Sequence, residues 1–194
     1  EWHWYDVSET WTFDDEYIGA PIKTELYTTA DEIIFKLNGK EAARAVPEKG
    51  IASAMIPYEK GELTAISVRD GKEDKSFTLK TTGKAYKIQI IPEKDEIIAD
   101  NRDLCYYNIF IEDENGNIVT EADNEIECRV FGGELMGVFS GCPNNEDQYG
   151  SDKCHVFYGK AAAIARCSCE GELKIYVKSR GLKGGIGNVV KARR

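Results

Sequence analysis

The sequence predicts an all-β protein made of two consecutive antiparallel β-sandwiches. Three observations carry that expectation. Apolar residues recur with period two, Asn-Gly and Asp-Gly pairs punctuate the alternating runs, and the composition shifts near residue 83. Period two places alternate side chains on one face of a strand. Asn-Gly and Asp-Gly accept the positive φ of type I′ turns, so they signal hairpins. Short strands repeated at this spacing indicate sandwiches.

In chain order, Ile33, Phe35 and Leu37 share a face, and Asn38-Gly39 turns the chain. Leu63 to Val68 alternates in the same way and ends at Asp70-Gly71. Tyr86, Ile88 and Ile90 follow, then Cys105, Tyr107, Ile109 and Ile111 before Asn115-Gly116. Ile126, Cys128 and Val130 repeat the pattern, as do Leu173, Ile175 and Val177. The expected core faces are Ile33, Phe35 and Leu37 in the first half, and Ile109, Ile111, Cys128 and Val130 in the second. Lys160 to Ala165 is short and uncapped, and its propensity fits a helix as readily as a strand. The first 83 residues hold all three Trp and no Cys, whereas the remainder holds all six Cys. With Thr81-Thr82-Gly83 between them, the expected domains are 1–83 and 84–194, both of ordinary size.

Composition narrows the function classes. The chain has 194 residues, 42% hydrophobic and 30% charged, which excludes collagen-like, mucin-like and broadly disordered chains. It is shorter than the about 250 residues of a typical (β/α)₈ barrel. No run approaches the about 18 apolar residues of a membrane span, so no membrane partner is expected. Acids outnumber bases 34 to 25, a net charge of −9 that repels phosphate backbones, so no nucleic acid partner is expected. The basic stretch 178–194 reads as a polar, Gly-rich C-terminal end. No signal peptide is visible. Residue 1 is Glu rather than Met, which fits a processed chain and a piece of a longer one equally.

Candidate chemistry is sparse. Six cysteines allow 15 full pairings, and the favoured reading is reduced, mostly buried thiols. Cys154-His155 and Cys167-Ser168-Cys169 lack the C-x₂₋₄-C knuckle of structural zinc. Asp113-Glu114-Asn115-Gly116-Asn117 is rich in oxygen ligands but lacks EF-hand length and its closing Glu, so a turn is expected. Glu93-Lys94-Asp95-Glu96 and Glu112-Asp113-Glu114 read as solvated turns. No nucleophile elbow, phosphate loop or dinucleotide fingerprint is present. The expectation is therefore no catalytic residue, no metal ligand and no cofactor. Aromatic rings supply the remaining signal: Trp2, Trp4, Tyr5, Trp11 and Phe13 lie within 13 residues. Such rings fill a core, pack against a neighbouring domain or stack on sugars. Trp2, Trp4 and Trp11 are thus candidate carbohydrate contacts, as is Tyr149, an aromatic in the polar loop 144–152.

The order of motifs is more specific than any one of them. Trp2-His3-Trp4, Gly19, Pro21 and Thr29-Ala30-Asp31-Glu32-Ile33-Ile34-Phe35-Lys36-Leu37-Asn38-Gly39-Lys40 resemble the "HWxW … tNaDeVeLflNGk" stretch of glycoside hydrolase family 2, β-galactosidase type. Ile56-Pro57-Tyr58-Glu59-Lys60-Gly61-Glu62-Leu63-Thr64-Ala65 resembles its "vPYepGeLtA", and Leu79 with Thr81-Thr82-Gly83 its "LkTtG". Ile98 to Leu104 resembles "i.ADG.DL", and Asp113 to Asn117 resembles "DenGn". Gly133, Leu135, Gly137-Val138 and Ser140-Gly141-Cys142-Pro143 resemble "G.l.GvgNGdP". Phe157, Gly159-Lys160-Ala161 and Ala163-Ile164 resemble "F.Gka.aiv". The resemblance is collinear from residue 1 to about 182.

The resemblance implies two immunoglobulin-like sandwiches downstream of a catalytic barrel, which would be the chain's main partner. It favours strand for Ala161 to Ala165. The family's two catalytic glutamates lie in the barrel, so none maps here. The implied role is a non-catalytic accessory piece that supports the barrel, its substrate surroundings or oligomer contacts; the alternative is a carbohydrate-binding module using exposed aromatics. Bacterial cytoplasmic and secreted locations both fit. The chain departs from the pattern at Glu1 (His in the family), Asn101 (Gly), Ser140 (Asn) and Cys142 (Asp). A substrate or metal role of the last loop in relatives is therefore not carried over.

Overall fold

The computed structural model describes residues 7–148 and 150–194. Trp2, Trp4 and Tyr149 lie outside the described residues. The chain divides into two compact units, 1–82 and 83–194. Among the described residues the regular elements are strands, apart from one 3-10 turn at Asp15–Tyr17.

The first unit contains β1 (Pro21–Tyr27), β2 (Glu32–Leu37), β3 (Lys40–Ala45), β4 (Ile51–Pro57), β5 (Glu62–Arg69) and β6 (Lys72–Lys80). One sheet has the order β3-β2-β5-β6, and β1 pairs with β4 in a second. Asn38 and Gly39 both have positive φ, as do Asp70 and Gly71. Each pair is a two-residue loop, because Leu37 faces Lys40 and Arg69 faces Lys72 across the ladder. These are the I′ hairpins the sequence predicts. Ile33, Phe35, Leu37, Leu63 and Ala65 point into one core with Ala52, Ile56 and Tyr58. Strand β5 feeds both faces of its sheet: Ile66 and Val68 join Ile34 in a separate small cluster. A register shift between Ile66 and Val68 accompanies this change.

The second unit contains β7 (Lys87–Pro92), β8 (Glu96–Ile98), β9 (Leu104–Glu112), β10 (Glu125–Phe131), β11 (Glu134–Phe139) and β12 (Lys153–His155). It continues with β13 (Lys160–Arg166), β14 (Gly171–Ser179), β15 (Gly185–Ile186) and β16 (Val190–Arg193). The order β11-β13-β9-β7 forms one sheet; β12-β10-β14-β16-β8 forms the other, with β15 on β14. Ile88, Ile90, Tyr107, Ile109 and Ile111 from the first sheet meet Ile126, Cys128, Leu173, Ile175 and Val177 from the second. Val130 packs against this core while partly buried. Ala161, Ala163 and Ala165 are strand residues facing inward. Their small side chains suit a strand flanked on both sides by the larger residues of β9 and β11.

Two features differ from the sequence reading. The basic C-terminal stretch is a structured part of the sandwich, not only a polar end. Val190 and Ala192 alternate into the core between exposed Lys191 and Arg193. Strand β16 also pairs in parallel with β8, Lys191 to Arg193 beside Glu96 to Ile98, whereas the other pairings between named strands are antiparallel. The glycines before it are packing devices. A Cβ on Gly185 would press on the Ile88 carbonyl, and one on Gly187 on Ile175 and Ile90.

Candidate functional site

In the first unit the family motifs converge on an aromatic knot. Trp11 is only 2% exposed and stacks edge-on against Tyr58, 5.4 Å between centroids. Phe13 meets Tyr58 at 5.2 Å. The Trp11 indole donates to the Glu59 carbonyl at 3.0 Å, and the Thr81 hydroxyl donates to the Trp11 carbonyl at 2.8 Å. The Gly61 N–H donates to the Thr81 hydroxyl at 3.1 Å, and Thr12 Oγ1 lies 3.2 Å from Thr82 Oγ1. The Asn38 side chain accepts from Glu62 N–H at 2.9 Å and donates to the Lys60 carbonyl at 3.1 Å. Trp11 is therefore a core residue of the first unit, and it also lines the cleft beside the knot. The physical reason is its place on the chain, which runs between the Tyr58 loop and Thr81-Thr82.

Among the described residues the sandwich is open beside this knot. Strands β1 and β6 each lack a second neighbour among the described strands, and a cleft of about 830 Å³ lies between them. Its floor is Phe35, Leu63, Ala65 and Leu79, and its mouth carries Val7, Tyr27 and Phe77. A second hollow of about 720 Å³ continues past Tyr27 and Phe77 toward Thr28, Thr29, Ser67, Arg69 and Asp74. Tyr27 is 60% exposed and Phe77 48%. The Thr24 hydroxyl, in the cleft wall, is buried without a hydrogen-bond partner among the described residues. Sequence reading missed Tyr27 and Phe77. Each is one aromatic in a charged strand, and only strand order leaves them open.

In the second unit, Asp147 ties the 140–152 loop to β12. It accepts from the His155 backbone N–H at 2.7 Å and sits 2.9 Å from His155 Nδ1. This hydrogen bond raises the His155 pKa against a smaller opposing effect of burial, and it lowers that of Asp147. Cys154 points inward and His155 outward, so strand alternation separates the two as metal ligands. Cys167 and Cys169 lie in a bend past β13, one buried and one exposed, rather than on one strand face.

Asp113 is 1% exposed. Its carboxylate accepts from the backbone N–H groups of Gly83, Asn115 and Asn117, each at 2.9 Å, and from the Asn117 amide at 3.1 Å. Burial acts to raise its pKa, and these hydrogen bonds together outweigh it and hold the carboxyl low. The Asn115-Gly116 loop is thus built around Asp113. Only Gly116 of that pair has positive φ, and the loop closes on a Glu112–Ile118 bridge, so it is not a I′ turn.

Among the described residues, the carboxylates with clearly displaced pKa values are all displaced downward: Glu41, Asp100, Asp103, Asp113, Glu127, Asp147 and Glu172. Each is held by hydrogen bonds from a cation, a histidine ring or N–H groups.

Comparison with known proteins agrees with this architecture. Residues 88–186 match the model of the glycoside hydrolase family 2 C-terminal domain 5. Residues 19–74 match a domain of unknown function. The β-galactosidase BoGH2A of Bacteroides ovatus is 29% identical over 166 residues, covering 82% of this chain and 19% of that protein. A β-galactosidase of Thermoanaerobacter pseudethanolicus is 26% identical over 134 residues, covering 59% of this chain and 18% of that protein. A crystal structure of a glycosyl hydrolase family 2 member from Bacteroides cellulosilyticus superposes with TM-score 0.90 at 22% identity, over 97% of this chain and 25% of that one. The fold is thus that of immunoglobulin-like antiparallel sandwiches. The chain belongs to glycoside hydrolase family 2, as a C-terminal domain region. It spans about a fifth of the curated relatives it matches.

Proposed function

We propose that this chain is the non-catalytic accessory part of a larger family 2 glycosidase, β-galactosidase-like. It works as two sandwich domains that support the catalytic barrel, its substrate surroundings or oligomer contacts. The observation that carries the reading is the match of residues 88–186 to a C-terminal domain of the family, in a chain covering only 19% of a β-galactosidase. Retaining hydrolysis needs an acid and a nucleophile about 5–5.5 Å apart across the scissile bond. It also needs a pocket whose positioning supplies about 7–11 kcal/mol of the barrier.

The test is turnover of nitrophenyl-β-galactoside by the purified 194-residue chain. The expected rate is that of buffer. Turnover that a single Glu→Gln or Asp→Asn change abolishes overturns the reading. The second reading, a carbohydrate-binding module, is favoured by the open aromatic cleft of the first unit. Trp2, Trp4, Trp11 and Tyr149 remain its proposed contacts from sequence.

A further inference from the structure

We infer that the outer face of the β11-β13-β9-β7 sheet, in the second unit, is the surface on which another domain of the parent glycosidase docks. The inference rests on the proposal that the chain is part of a larger family 2 enzyme, and it names the surface and the kind of partner. Alternation along β9 and β13 turns one set of side chains into the core and the other set outward. On an antiparallel sheet that faces water the outward set is ordinarily polar. This face departs from that rule. One row across all four strands reads Phe139, Ala162, Asn108 and Ile91, each opposite the next in the ladder. In the next row Ile164 stands opposite Tyr106. None of these six side chains is charged. Ile91 and Tyr106 are exposed, as is Met136 beside the register shift in β11. Charge stands at the margins: Lys87 with Glu112 at 3.3 Å, Arg166 with Glu134 at 2.9 Å, and Lys160 opposite Phe110.

The other sheet shows how this unit dresses a face for water. There Lys153 lies 3.8 Å from Glu127, Lys178 lies 3.0 Å from Glu127, and Arg193 lies 3.1 Å from Glu96. A contiguous apolar patch of a few hundred Å² marks an interaction surface. Its size points to the partner. Four strands about 4.8 Å apart, each contributing about five residues of about 3.3 Å rise, give about 300 Å² on this side and about 600 Å² for both partners. Stable complexes between separate molecules bury about 1,200–2,000 Å², so a second copy of this chain is not held by this face alone. Domains of one polypeptide meet over about 600–1,500 Å², because the tether supplies a high effective concentration. The chain covers 19% of a β-galactosidase relative, and the remainder of such a protein is a partner of that kind. The docked surface on it is apolar too, since a charge buried there without a counter-charge is costly.

The experiment is hydroxyl-radical footprinting, read by mass spectrometry, on the full-length parent enzyme and on the 194-residue chain side by side. Tyr106, Met136 and Phe139 should be oxidised about fivefold more slowly in the parent, as residues of a water-excluding interface core are. Ile91→Lys with Tyr106→Lys should return Met136 and Phe139 of the parent to the rates of the isolated chain. Ile98→Lys with Ile186→Lys, at exposed positions on the other sheet, should leave the protection in place. Circular dichroism of the isolated variants checks that the sandwich still folds; where it does not, the wild-type comparison decides alone. Equal oxidation of the three residues in parent and isolated chain overturns the inference. So does protection of the isolated chain that grows with its own concentration, the mark of a second copy. Protection gained only on insoluble cellulose or galactan overturns it as well. None of these results touches the accessory reading, whose own failure shows as turnover by the isolated chain.

Discussion

Asp113 shows how one buried charge is made tolerable. An ionised carboxylate out of water is costly unless its lone pairs are filled, and four N–H donors fill them here. Asp113→Ala removes the acceptor and strands those donors, and should cost about 2–4 kcal/mol by urea unfolding. Its folded pKa lies below the about 3.9 of an unfolded Asp. Its contribution is therefore present above about pH 4 and lost as pH falls through the folded value. Asp113→Asn should flatten the acid limb of the stability profile. His155 has the opposite sign. Its pKa is raised by Asp147, so that contribution is full below about 6.5 and lost as pH rises through the folded value. The check is ring-proton NMR, in which Asp147→Asn should move the His155 pKa down. Burial pushes the Cys128 and Cys154 thiols up to about 12, aided by nearby anionic groups, whereas Cys169 is exposed. A thiol reagent at pH 8 should label Cys169 first and Cys128 and Cys154 only on unfolding, as mass spectrometry would show.

At the scale of the element, β2 and β9 carry the two cores. Phe35 is 1% exposed and Ile109 0%. Phe35→Ala should cost about 3–5 kcal/mol and Ile109→Ala about 2–5, because each leaves a cavity its neighbours only partly fill. A neutral effect in either would contradict the face assignments. Gly132 joins β10 to β11, strands of different sheets, with φ of +76°, and a Cβ there would collide with the Glu172 carbonyl. Gly132→Ala should destabilise at least as much as a lost core methyl group. Alternation made β2, β9, β10 and β14 legible, because a strand with one buried face writes period two into its sequence. The Asn38-Gly39 and Asp70-Gly71 turns were legible because I′ geometry needs two positive φ values. Asn115-Gly116 carries the same dipeptide in a different loop, since there Asp113 dictates the path. Alanine-rich β13 was ambiguous because Ala has little strand preference, and packing between β9 and β11 decides its state.

For the whole molecule, the proposed accessory role makes a prediction about the parent enzyme. Deleting this chain should lower its thermal midpoint or its assembly while leaving the barrel's own acid and nucleophile in place. Calorimetry with kcat and KM on nitrophenyl and polymeric substrates checks this, and full stability without the chain would count against a supporting role. The sequence by itself determined the all-β class, the inward faces of the main strands, the I′ hairpins and the family. These are local or ordered along the chain, written in side-chain period, turn chemistry and motif order. Only the tertiary structure decided that Trp11 is core, that Tyr27 and Phe77 flank an open trough, that Asp113 organises a loop, and that β16 lies parallel to β8. The reason is physical: burial of an aromatic, satisfaction of a buried charge and exposure of a sheet edge depend on which distant strands become neighbours, and residue spacing carries no record of that choice.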